Sequence, residues 1–217
     1  MEQLLQSKPN FSIDDALKRG WELYKETPIL LSLFFFIYIG IAAASSYWLE
    51  DFSFIISILI SPALMAGFYL VANKISRGET IAFEDFFTGF NFWFPVVVVN
   101  LVSGILTGLG ILALILPGIY LGVAYAFCLP FVLFAGTEFW TSMELSRKLI
   151  TKIWWRFFAF LLLLVVINMV GLLFLGIGLL VSGPVSLLAV YAAFEDLAGS
   201  YLADDDQKVN LPHEPEP

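Results

Sequence analysis

Charge is what this sequence has least of. Only 14% of its 217 residues are Asp, Glu, Lys or Arg, against about 25% in a soluble domain. Hydrophobic residues make up 59%. That supply of charge does not cover an ordinary water-facing surface. Histidine is nearly absent too. The one histidine, His213, lies in the C-terminal tail, which excludes a histidine general base or histidine metal site in the body of the chain. Cysteine occurs once, as Cys128 inside an apolar run. No intramolecular disulfide can form, and the residue reads as packing. Phosphate-binding Gly-rich loops, GxSxG elbows and HExxH helices are all missing. Carboxylate pairs do occur, at Asp14/Asp15, Glu50/Asp51, Glu84/Asp85 and Glu195/Asp196. They read as solvated faces, turns or a hydrated helix end. No catalytic constellation emerges, no cofactor is expected, and no nucleic-acid partner is expected.

What the chain does have is long apolar runs. A spanning helix needs roughly 20 mainly apolar residues, and six runs qualify: 28–49, 52–73, 92–113, 115–136, 154–175 and 178–195. The first is too long for the core of a signal peptide, roughly 7–15 residues, so no cleavable leader is expected. Lys and Arg then orient the runs. All 11 fall before the first run, between the second and third, between the fourth and the first residues of the fifth, or in the tail. With six helices those four regions share one side, and the Lys/Arg-rich side is the cytoplasm. Both termini are therefore expected there. Trp21, Trp93, Trp140, Trp154 and Trp155 flank the cytoplasmic ends of runs and Trp48 the opposite end, as interfacial indoles do.

The fold class expected is all-α: a polytopic membrane protein of six transmembrane helices arranged as three hairpins. A cytoplasmic-side amphipathic helix precedes each hairpin. The first amphipathic helix starts at Ser12, capped toward Asp15. Ile13, Ala16, Leu17, Trp21 and Tyr24 line its apolar face. The second carries a Phe83, Phe86, Phe87 and Phe90 stripe opposite Glu84 and Asp85. The third runs from about Thr141 to Lys152 with Arg147, Lys148 and Lys152 as a basic face. Such helices can lie in the headgroup plane. With Lys18 and Arg19 of the first, these basic residues are the candidate lipid- or partner-binding set.

Each second helix of a hairpin has proline beside a small residue near its start: Pro62-Ala63, Pro117-Gly118 and Gly183-Pro184. Small residues four apart accompany them, at Ala63/Gly67, Gly118/Gly122 and Ser182/Ser186, with Gly104/Gly108 on run three. These turn and pack the hairpins or, on a sharper reading, break helices around a transport site. Pro130 implies a kink in run four. The deepest polar groups are Asn100, Ser103 and Thr107 on one face of run three, and Asn168 on run five. They form a candidate intramembrane polar site, read either as interhelical hydrogen bonds or as a lining for a neutral solute. Domain boundaries follow: an N-terminal segment (1–27), a membrane domain (28–200) and an acidic, disordered tail (201–217).

Three segments carry a resemblance: FSIDDALKRGWELYKETP, RGETIAFEDFFTGF, and the stretch from ILPGIYLG through MELSRKLITKIWWRF to SGPVSLLAVYAAFEDL. Together they resemble the six-helix bacterial integral membrane proteins related to the membrane domain of glycerophosphoryl diester phosphodiesterases. The resemblance spans residues 10–200 and implies an all-helical domain in a bacterial inner membrane. It carries over no catalytic residue, because these residues hold no counterpart of the soluble phosphodiesterase barrel. The function expected is non-enzymatic: a membrane-embedded interaction or lipid-organising module. Its partners would be anionic lipids, another membrane protein or further copies of itself. The rival is a transporter of a small neutral solute or lipid.

Overall fold

The computed structural model describes residues 11–48, 53–173 and 176–209. Every regular element among them is helical. In chain order they are α1 (Ile13–Glu26), α2 (Pro28–Trp48), α3 (Ser53–Leu59), α4 (Ser61–Ser76), a 3₁₀ helix (Phe83–Phe92), α5 (Trp93–Ala113), α6 (Ile115–Ala124), α7 (Cys128–Phe134), α8 (Phe139–Thr151), α9 (Trp154–Leu173) and α10 (Leu179–Val209). Six stretches are long and apolar enough to cross a membrane. They are α2, α3 with α4, the 3₁₀ helix with α5, α6 with α7, α9, and α10 as far as Gly199.

Burial sorts these spans by parity. The second, fourth and sixth are 47%, 44% and 56% buried, the first, third and fifth 17%, 17% and 22%. The even spans therefore form the inside. They can approach because they present small residues: Ala63, Ala66, Gly67 and Ala72, then Ala124, then Ala189, Ala192 and Ala193 are all buried. Around them, rings interlock edge to face, as in Phe127–Phe157 and Phe131–Phe194, each 5.1 Å between centroids. Lipid tails are as apolar as these rings, so fit and dispersion rather than hydrophobicity hold the spans together.

The three surface elements do not lie apart from the bundle. α1 packs on α10, the 3₁₀ helix on α4, and α8 on α6 and α7. Each thus lies against an even span, and the first closes on the last. Ser12 caps α1, its Oγ accepting from Asp15 N at 3.3 Å. Asp14 and Asp15 meet the positive end of the helix dipole. The buried face is Ala16, Gly20, Leu23 and Tyr24, while Trp21 is exposed. A Cβ on Gly20 would stand 2.6 Å from Ala189 N, so only glycine permits this crossing. Gly67 and Gly89 do the same for the 3₁₀ helix on α4, against Phe86 and Ala63 respectively. Ala63 and Gly67 thus receive a surface element, a role their spacing alone did not assign. Entry to the second and third surface elements follows Gly78 (φ +72°) and Gly136 (φ +58°), which turn the chain where side chains are disfavoured.

One expectation needs correction. The second surface element is a 3₁₀ helix, with three residues per turn. Positions i and i+3 share its face, so Phe86 and Gly89 are buried whereas Phe87 and Phe90 turn outward. α10 itself runs on past the expected boundary at residue 201, as far as Val209. No Gly or Pro between Tyr201 and Val209 halts a helix already under way. Residues 210–217, with His213, and the Glu50/Asp51 pair lie outside the described residues.

Candidate functional site

Charged side chains meet where α1, α4 and α10 converge. Arg19 Nη2 donates to Ser76 Oγ (3.2 Å), and Ser76 donates to Glu195 Oε1 (2.5 Å). Arg19 also stands 3.8 Å from Glu22. Beside them is an open cleft of about 290 Å³ lined by Asp15, Arg19, Glu195 and Asp196. Nearby on α4, Lys74 Nζ donates to Asp85 Oδ1 (2.7 Å), while Asp85 Oδ2 accepts from Ala82 N (2.8 Å). One carboxylate thus starts the 3₁₀ helix and ties it to α4. Lys18 is exposed and makes no ion pair among the described residues.

The basic face of α8 is less basic than its sequence suggests. Glu144 was not singled out, although it stands three and four residues before Arg147 and Lys148. Arg147 grips it with two donors, Nε to Oε2 (2.8 Å) and Nη2 to Oε1 (2.9 Å), and Lys148 Nζ lies 3.2 Å from Oε1. The Arg147 hydrogen bonds hold the Glu144 carboxyl well below its usual range, down to about 2. In turn, Glu144 holds the Arg147 proton more tightly than usual. One of the two cationic charges is thereby offset locally. Lys152 is exposed at the end of this helix. Arg156, one turn on, donates from Nη1 to Phe11 O (3.2 Å) and secures the lead-in to α1.

The intramembrane asparagines do not come together. Asn168 is consumed between α9 and α10. Its Nδ2 donates to Leu164 O (2.8 Å) and Ser186 Oγ (2.7 Å), and its Oδ1 accepts from Ser182 Oγ (3.0 Å). Ser182 and Ser186, noted as small residues, are therefore hydrogen-bond partners. Asn100 points out of the bundle into a groove beside α3 and makes no side-chain hydrogen bond among the described residues. Ser103 Oγ donates only to the Asn100 carbonyl, at 3.1 Å. Thr107 turns its methyl to α6, 3.5 Å from where a Cβ on Gly122 would stand. The site therefore divides into a structural clamp at Asn168 and an open amide at Asn100.

The second and fourth spans are interrupted and the sixth loses one helical hydrogen bond at Pro184; in each case another element satisfies a carbonyl at that point. Between α3 and α4, Leu59 O accepts from Trp93 Nε1 (2.7 Å). Between α6 and α7, Ala124 O accepts from Ser146 Oγ (2.7 Å), which also accepts from Phe127 N (3.1 Å). The gap lies upstream of Pro130 because a proline ring displaces the carbonyl four residues back. In α10, Pro184 has no N–H to offer Leu180 O, and Ser32 Oγ donates to it instead (2.8 Å). Non-helical backbone at membrane depth survives only when satisfied or watered. Here three side chains from α5, α8 and α2 satisfy it. Trp93, read as an interfacial anchor, spends its N–H on this role. Trp154 similarly donates to Tyr120 O (3.3 Å).

Among the described residues, no three His, Cys, Asp or Glu side chains are placed to hold a metal ion. Cys128 is buried in the core. The fold and these contacts define a multi-pass α-helical membrane protein. No protein-family model, curated protein or solved structure matches the chain.

Proposed function

We propose that this chain is a non-enzymatic membrane module that binds lipid headgroups or a membrane partner through its outer surfaces. The observation that carries this reading is the closure of the two helix breaks and of the Pro184 gap. A carrier needs broken helices whose freed backbone groups line a site. Here Trp93, Ser146 and Ser32 occupy those groups, and Asn168 is spent on two serines. What remains available lies outside.

We read the six spans as three hairpins, each preceded by a cytoplasmic-side amphipathic helix. The parallel docking of α1, the 3₁₀ helix and α8 on even spans supports that reading. The Lys/Arg distribution supports cytoplasmic termini, and the family resemblance supports a bacterial inner membrane. Lys18, Lys148 and Lys152 are the cations that would meet anionic headgroups, each contributing about 1 kcal/mol near a charged surface. Arg19, Arg147, Lys148 and Lys152 also have partners within the protein.

The test is lipid retention by purified protein, read by native mass spectrometry. Glutamate at Lys18, Lys148 and Lys152 together should lower retained anionic lipid at least tenfold, while Arg147 still holds Glu144. Retention unchanged by that triple replacement, with no protein partner co-purifying, would overturn the reading. Solute flux through vesicles containing the protein would overturn it too.

A further inference from the structure

We propose that the outer face of α5, centred on Asn100, is where two copies of this chain associate. The proposal rests on the interaction-module reading and names one partner for it. Asn100 is the eighth residue of α5, roughly 10 Å along the helix at 1.5 Å per residue. It lies within a stretch apolar enough to cross the bilayer. Its neighbours on the outer face, Leu101, Ile105 and Leu109, are exposed hydrophobics. Its carboxamide opens into a groove of about 400 Å³ between α3 and α5, with Ser57 across from it. Neither the amide nor the Ser57 hydroxyl makes a side-chain hydrogen bond among the described residues.

In water such an amide would be hydrated. In hydrocarbon it has no partner, and an unmet amide there is costly. The chemistry of the occupant follows. A lipid acyl chain offers neither donor nor acceptor. The group that meets Asn100 must supply a hydrogen-bond donor and an acceptor side by side at the same depth. A carboxamide supplies both. Two copies related by a twofold axis bring Asn100 to Asn100, each donating to the other, in the self-matching contact that twofold dimers use.

Room for that approach is built into the same face. Gly104 and Gly108 follow Asn100 at four-residue steps, so the three share one stripe of α5. A Cβ added to either glycine meets nothing within 4 Å. Gly20, Gly67, Gly89, Gly118 and Gly171 are each pressed against a neighbour inside the fold. Gly40 in α2 is open as well, but only the α5 stripe lies beside an amide that meets no side chain among the described residues. Small residues four apart let two helix backbones meet closely in a membrane.

The experiment is cross-linking in native membranes through a single cysteine introduced as Leu101→Cys. The native Cys128 is buried and does not compete. A covalent dimer should form. Adding Asn100→Leu or Gly104→Ile should reduce it at least tenfold, whereas Asn100→Gln should retain most of it. Because the Asn100 side chain makes no hydrogen bond among the described residues, Asn100→Leu should leave the thermal midpoint of the monomer unchanged. Four results would each overturn the proposal: no dimer in wild-type membranes, a dimer indifferent to both substitutions, a cross-link to a different protein, or a small neutral molecule bound at Asn100. Anionic lipid retention measured on the same sample separates this failure from failure of the module reading. Lipid retained without a dimer sinks only the dimer.

Discussion

At the scale of single residues, polar groups in this membrane domain differ by whether the chain itself answers them. Asn168 has partners on α10 at both ends of its amide. Asn168→Leu removes both interhelical bonds and leaves Ser182 and Ser186 without their amide partner. Such bonds average about 0.6 kcal/mol each in membrane bundles. The variant should therefore lose about 1 kcal/mol, read as a lowered midpoint in detergent titration. Loss of nothing would mean that the α9–α10 clamp is incidental. Sequence placed Asn168 and Asn100 together as one polar site because both interrupt apolar runs. It could not separate them, since the partners of Asn168 lie 14 and 18 residues away across a turn. Glu144 was legible in principle: a carboxylate three and four residues before two cations is a local pattern. The Ser12 cap was read correctly for the same reason, being a contact three residues long.

At the scale of elements, what distinguishes this fold is how surface helices dock. Each crossing needs backbone-to-backbone proximity, and glycine provides it at Gly20, Gly67 and Gly89. Gly20→Ala should make this concrete. The new methyl meets Ala189 backbone, which cannot rotate aside. Overpacking of this kind costs about 1–3 kcal/mol. Hydrogen exchange should therefore rise selectively across α1, with α8 and α9 unaffected. Uniform exchange would indicate that α1 is not an independently docked element. The periodicity of α1 was plain in sequence, but its partner was not, because α1 and α10 stand at opposite ends of the chain. The 3₁₀ helix was misjudged for a different reason. A cluster of phenylalanines fits a period of 3 as readily as 3.6, and only the docking at Ala63 and Gly67 selects between them.

At the scale of the whole molecule, six apolar runs of spanning length were enough to give the class, and the structure keeps all six. Run length is a local property and survives any packing. The inside-outside sorting of even and odd spans was not legible. It depends on which small residues face one another and on how the two breaks and the Pro184 gap are closed. Those closures carry the proposal that the bundle is sealed and that it meets other molecules on its surface. Cys128 tests this without any mutation. It is the chain's one cysteine and sits at the start of α7, just past the break in the fourth span, 3% exposed. The measurement is labelling of Cys128 in intact membranes by a membrane-impermeant, water-soluble thiol reagent applied to each side in turn. A sealed bundle predicts no labelling from either side until the protein is denatured. Rapid labelling from either side would show water at the fourth-span break, and would contradict the sealed interior in favour of a solute pathway.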